Sequence, residues 1–253
     1  MDKNKNFLII HDFSSEEPFW VVDKFAGIPS APLKKGDFSV LEEITKQFPF
    51  AKNVKGKKEI EYGLLHRIDT QTNGLLLIAG SQEFYDDLLE VQKTGGFIKT
   101  YFAECDFIKN LNDFPEGFPA KPQNFLFGKE CFVQSKFRYF STHNSQVRPV
   151  DEKNLSRAAK KKAIDKIYTT KIKVYEKDKT YFADCEIAQG FKHQVRAHLA
   201  WCGFPVKGDF LYNPYTKNSS ESTDELKFSA TKIKFTWKNK NFEFHKQILP
   251  KGN

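Results

Sequence analysis

Six consecutive residues, Gly74-Leu75-Leu76-Leu77-Ile78-Ala79, carry no polar side chain, and Gly80 follows them. A run this short and this apolar, punctuated by glycine, fits a buried strand and is too short to span a membrane. Immediately before it stands the densest cluster of chemically capable side chains in the chain, His66-Arg67-Ile68-Asp69-Thr70-Gln71-Thr72-Asn73. Taken alone, that cluster also describes an ordinary charged loop in which Arg67 and Asp69 pair with each other or with water.

Around this centre the pattern is strand-rich. Strands are expected at Phe19–Lys24, Phe97–Phe107, 167–176, 179–188, 230–237 and 241–246, with a hairpin around Phe132–Phe140. Helices are fewer. Ser39 with Glu42 three residues on forms a capping box for a helix over about 40–48, with Leu41, Ile44 and Phe48 on one face. Ser81 caps a second helix that runs to about Lys93 and ends at Gly95-Gly96, and a third is expected over Lys192–Cys202. Strands without regular βαβ alternation predict an α+β fold with a mixed, mostly antiparallel sheet and flanking helices.

The remaining stretches are less regular. Residues 1–18 read as a polar lead-in, and 19–253 as one catalytic domain with an insert at about 108–165. Lys52 to Glu59 and Asn218 to Asp224 read as solvated loops. Phe7–Ile10 is too short for a signal-peptide core. Cys105, Cys131, Cys185 and Cys202 stand singly, as reduced thiols of a cytoplasmic protein do. His66, His193 and His198 lack the spacing of zinc motifs, so no metal is expected. The net charge of +8 points to a polyanionic partner such as nucleic acid or an acidic membrane surface. Lysines at 34–35, 52–58 and 158–162 are the candidate phosphate contacts. The abundant phenylalanines are read as core.

His66-Arg67-Ile68-Asp69-x-x-Thr72-Asn73-Gly74-Leu-Leu-Leu resembles the H-R-L-D-x-x-T-S-G-L-L-L signature of RluA-type pseudouridine synthases. Gly190-Phe191-Lys192-His193-Gln194-Val195-Arg196-Ala197-His198-Leu199 is similar to that family's G-R-T-H-Q-I-R-V-H-L, and Gly203–Asp209 continues it, with Tyr212 in the usual place. Lys99-x-Tyr101-x-Ala103 and Val21–Pro29 resemble two further family segments, and all the matches fall in the family's order between about 19 and 249.

The resemblance implies the pseudouridine synthase fold, with a central RNA-binding cleft and no cofactor. It implies that Asp69 is the catalytic aspartate, acting at the ribose or the base while the glycosidic bond breaks. Tyr101 would stack on the target base and help remove the C5 proton, and Arg196 would pair with the aspartate. Arg67 would enter the RNA helix as the nucleotide is flipped out. His66, Thr72, Lys99, His193 and Gln194 complete the expected substrate-binding set. About eighteen leading residues are too few for a separate RNA-binding domain, so the catalytic domain is expected to recognise RNA by itself, as a monomer. The expected substrate is structured RNA, ribosomal RNA ahead of transfer RNA.

Asn73, Phe191 and Phe25 depart from the family's Ser, Arg and Pro. Two other functions fit parts of the same pattern: a non-catalytic RNA-binding or folding factor, and a hydrolase that uses Asp69 with a second carboxylate such as Asp209.

Overall fold

The computed structural model describes residues 6–141, 143–150, 162–217 and 225–246. The basic run expected at 157–162, apart from Lys162, and the polar loop at 218–224 lie outside the described residues. The chain divides into two compact units, one formed up to Lys99 and again from Ser229, the other from Thr100 to Phe228.

In the first unit the apolar run becomes β3 (Asn73–Ala79), antiparallel to β2 (Phe19–Lys24) in a register from Phe19↔Ala79 to Lys24↔Gly74. Both strands are buried almost throughout, which is why neither shows polar–apolar alternation. Residues 7–11, expected within a polar lead-in, form strand β1 (Phe7–His11) antiparallel to β2. Four apolar residues suffice there because an edge strand needs only one protected face. Helix α1 (Val40–Gln47) starts at Ser39, whose hydroxyl accepts the Glu42 N–H. Helix α2 (Gln82–Lys93) starts at Ser81, whose hydroxyl accepts that of Phe84. Strand β4 (Ile98–Cys105) begins in this unit and continues into the second.

Strand β9 (Phe228–Trp237) belongs to the first unit from Ser229 on. It pairs parallel with β3 at Asn73↔Ser229 and Gly74↔Ala230. Gly74 has φ +121°, and a Cβ there would lie 2.1 Å from the Ala230 carbonyl oxygen, so the two backbones meet closely because the residue is glycine. Strand β10 (Lys240–His245) returns antiparallel along β9. The core gathers on Phe19, whose ring stacks on Phe84 at 4.6 Å and meets Phe235 and Phe242 edge-on.

The second unit orders its strands β4-β8-β7-β5-β6. Strands β7 (Tyr168–Lys177) and β8 (Thr180–Ile187) form a hairpin turned at Asp178-Lys179, both in the left-handed region. The hairpin expected inside 132–140 lies later in the chain. Strand β5 (Glu130–Phe140) runs unbroken, and the reversal into β6 (Gln146–Val150) falls after Phe140. Alternate burial of Cys131, Val133, Ser135 and Phe137 keeps β5 extended. Positive φ first appears at Ser141 and Asn144. Part of the stretch expected as an insert is therefore sheet, since β5 also pairs with β7 from Glu130↔Lys173 to Ser135↔Tyr168. Helix α3 (Gln194–Trp201) is buried along all eight residues. The four cysteines are buried free thiols. No helix among the described residues is long and apolar enough to cross a membrane.

Candidate active site

The residues before β3 run beside it before turning into it. Leu64 bridges antiparallel to Ile78, and the Leu65 N–H donates to the Leu77 carbonyl at 3.2 Å. The reversal is a turn closed by Thr72 N–H donating to Asp69 O at 3.0 Å. Residues 24–30 pin both flanks of this turn. The Ser30 hydroxyl donates to Ile68 O at 2.7 Å and accepts the Ile68 N–H at 3.2 Å. Gly27 N–H donates to Thr70 O at 2.8 Å, and Lys24 Nζ donates to Thr70 O and Phe25 O, each at 3.0 Å. The result is a half-buried carboxylate, that of Asp69, on a turn with little freedom to move.

Lys24 is the site residue that the sequence reading missed. At the end of an apolar strand it looks like a solvent-facing charge, yet it is fully buried. Burial lowers its pKa to about 8, opposed by the negative charges of Asp69 and Asp23. Asp23, also buried, takes two contacts of 2.8 Å from Lys246.

Four other expected residues of this unit have different environments. His66 Nε2 accepts the Leu77 N–H at 3.2 Å, and its ring meets Phe97 edge-on at 5.2 Å. Burial, then the charge of Lys99, lowers the His66 pKa to about 3, so the imidazole is neutral near pH 7 and suits scaffolding rather than proton transfer. Lys99 shares Phe97 with it: its ammonium lies 4.3 Å from the ring centroid and donates to Phe97 O at 3.2 Å. Burial and Lys57 lower the Lys99 pKa to about 7. Thr72 is buried, and its hydroxyl has no hydrogen-bond partner among the described residues. Arg67 is exposed and, among the described residues, held only by Glu61, at 3.1 Å, a surface pair of about 1 kcal/mol or less that RNA can displace.

The second unit holds the remaining candidates. Tyr101 lies on the buried face of β4, its ring parallel to Phe228 at 5.2 Å and 9°. Arg196, on α3, donates from Nε and Nη2 to the two carboxylate oxygens of Asp209, at 2.8 and 2.7 Å. Asp209 Oδ1 also accepts the N–H groups of Leu211 and Tyr212. Tyr212 links the cluster: its ring lies 5.4 Å from the Arg196 guanidinium, and its hydroxyl meets His193 Nδ1 at 2.9 Å and the Val147 N–H at 3.0 Å. Burial pushes the Tyr212 hydroxyl pKa up.

Gln194, expected to bind substrate, spends its amide internally. Its Nε2 donates to Thr169 O and Thr170 Oγ1, and its Oε1 accepts the Phe191 N–H. Phe191 itself stacks on Phe137 at 5.2 Å, which gives its departure from the family arginine a packing role. The other departure in the signatures, Asn73, accepts the Ser229 hydroxyl at 2.7 Å. With Asp209 bound by Arg196, the second carboxylate that a hydrolase would need is already engaged. Among the described residues, no group of three His, Cys, Asp or Glu side chains has a metal-holding arrangement.

The chain is 28% identical over 206 residues to an uncharacterized RNA pseudouridine synthase of Synechocystis, covering 79% of this chain and 57% of that one. It is 25% identical over 203 residues to the tRNA pseudouridine(31) synthase of Saccharomyces cerevisiae, covering 78% and 45%. To the mitochondrial tRNA pseudouridine(32) synthase of the same yeast it is 22% identical, covering 78% and 36%. The chain thus spans little more than half, or less, of the length of these relatives. Its fold is similar to human RNA pseudouridylate synthase domain containing 1, with a TM-score of 0.65, 17% identity and 98% and 86% of the two chains covered. A family model described as RNA pseudouridylate synthase matches residues 18–201. On that match, and on the Asp69 turn it encloses, the chain belongs to the RluA-type RNA pseudouridylate synthase family.

Proposed function

We propose that this protein isomerises uridine to pseudouridine in structured RNA, with Asp69 as the carboxylate that acts while the glycosidic bond breaks. The observation that carries the reading is the anchored turn at Asp69–Thr72, which offers one half-buried carboxylate inside a matched synthase family. An ionised carboxylate can serve as nucleophile or base without a metal.

In the reaction the C1′–N1 bond breaks, the uracil rotates and a C1′–C5 bond forms. The C5 proton leaves, and N1 gains one, so no cofactor is consumed. Tyr101 supplies an aromatic face for the base and is suited to accept the C5 proton. The target must leave the RNA stack to react, and Arg67, weakly held by Glu61, is the side chain available to take its place. Arg196, oriented by Asp209, brings a fixed positive charge.

Ribosomal RNA and transfer RNA both remain candidate substrates. The two yeast relatives, both tRNA pseudouridine synthases, favour transfer RNA for the first assay. Four buried free thiols accord with a reducing compartment such as the cytoplasm.

The test is pseudouridine mapping, at single-nucleotide resolution, of RNA from cells with and without the gene, followed by purified enzyme on the sites that change. Asp69→Asn and Asp69→Ala are expected to abolish turnover while RNA binding falls little. Substantial turnover by Asp69→Ala would remove Asp69 from the chemistry.

A further inference from the structure

Phe107, Phe125, Phe127, Tyr181 and Phe204, all in the second unit, line an open cavity of about 350 Å³ that Lys121 and Glu176 also border. The rings are ordered against one another. Phe127 stacks on Phe204 at 5.6 Å and 19°, Phe107 on Phe204 at 5.1 Å and 29°, and Tyr181 meets Phe204 edge-on at 5.5 Å. Yet Phe127 is 49% exposed and its neighbour Leu126 54%, so folding leaves aromatic and apolar surface in water at the lip.

The loop that carries Phe127 is tied down. Gly128 N–H donates to Val174 O at 2.9 Å, Lys129 N–H to Leu126 O at 3.2 Å, and Phe125 N–H to Pro122 O at 3.2 Å. Lys121 lies over Phe107 and Phe114, at 5.5 and 5.1 Å, and makes no ion pair or hydrogen bond among the described residues. The Glu176 carboxylate makes none there either. A preformed aromatic platform bordered by an ammonium lying over rings and by a carboxylate acceptor matches one kind of occupant well. That occupant is flat and aromatic, carries N–H donors on its edge and has an anionic group attached.

We propose that this cavity holds one unpaired nucleotide of an RNA, its base stacked on Phe127 with the Tyr181 ring at its edge, its phosphate at Lys121 and its N–H edge towards Glu176. Stacking of this kind is sequence-tolerant, since every base has a π-face. A cavity of this size also accommodates one base with its sugar. Three of the lining side chains, Lys121, Phe125 and Phe127, come from the stretch at about 108–165 that is expected as an insert. The site therefore belongs to this chain's own substrate recognition. That the nucleotide is part of RNA rests on the proposed synthase reading.

The test is equilibrium binding of fluorescein-labelled single-stranded oligoadenylate and oligouridylate to wild type, Phe127→Leu and Lys121→Gln. Ultraviolet cross-linking of the bound oligonucleotide and peptide mapping accompany it. Phe127→Leu keeps the apolar bulk and removes the ring, so stacking is separated from folding. Each variant is expected to weaken binding by about fivefold or more with an unchanged thermal midpoint, and cross-links should fall on Phe125, Phe127 or Tyr181. No binding by wild type, unchanged affinity in both variants, or cross-links only elsewhere would overturn the proposal. Failure of the two readings is distinguishable. If no RNA is isomerised but the variants still lose binding, the nucleotide site stands without the synthase. If pseudouridine forms and the variants bind as wild type does, the site alone falls.

Discussion

Arg196 and Asp209 form a bidentate ion pair, at 2.8 and 2.7 Å, with both side chains buried in the second unit. The two residues lie thirteen positions apart, one on α3 and one in the loop that follows it. The sequence resemblance assigned Arg196 to the catalytic aspartate; the structure adds Asp209 as a partner that fixes the plane of its guanidinium. Arginine suits this arrangement because its planar fork can serve Asp209 and still present charge in a fixed direction.

Removing the Asp209 charge leaves that guanidinium buried beside a neutral group. Asp209→Asn is expected to cost about 3–5 kcal/mol of stability. Replacing both partners, Arg196→Met with Asp209→Leu, should recover much of the loss. Urea unfolding with an unchanged m-value checks this. A midpoint for Asp209→Asn equal to wild type would show that the pair contributes little.

The buried Lys99 predicts a pH dependence with a definite sign. Its folded pKa, lowered to about 7 by burial, lies below the value near 10.4 that a lysine has in an unfolded chain. Between those values the unfolded chain binds the proton that the folded one has released. Stability therefore rises with pH across this window, by up to about 1.4 kcal/mol per unit from this group. Below about pH 7 the full cost of burying the charge is present. Lys24, lowered to about 8, acts in the same direction. Lys99→Met should flatten the rise without removing it, measured as unfolding free energy against pH in both proteins. Identical slopes would show that Lys99 keeps its proton throughout.

Lys24→Met tests the anchoring of the Asp69 turn. It removes two hydrogen bonds, to Thr70 O and Phe25 O, and also removes a desolvated charge. These effects oppose one another, so global stability should change by no more than about 1–3 kcal/mol. The local effect has one sign: the amides of Gly27 and Thr72, which close the turn and its support, should exchange faster with solvent. Unchanged exchange would mean that Ser30 and Gly27 hold the turn without the lysine.

Features with a local cause were legible in the sequence. Ser39 and Ser81 cap their helices because a hydroxyl at that position meets N–H groups within three residues. The strand at 73–79 follows from an unbroken apolar run. The alternation in β4 placed Lys99 and Tyr101 on one face; the structure shows that this is the buried one. Strand β1 was overlooked because Phe7–Ile10 is too short to declare itself without β2 beside it. The reversal after Phe140 was misplaced because a hairpin's position depends on which strand offers a partner.

By itself the sequence determined local elements, the family and the turn that carries Asp69, since each rests on residues close together in the chain. Only the tertiary structure decided that Lys24 is buried beneath that turn, that Arg196 pairs with Asp209, and that five aromatic rings from four separate segments border one cavity. Burial and charge pairing depend on which faces meet. That is settled by packing between segments remote in sequence, and no local period encodes it.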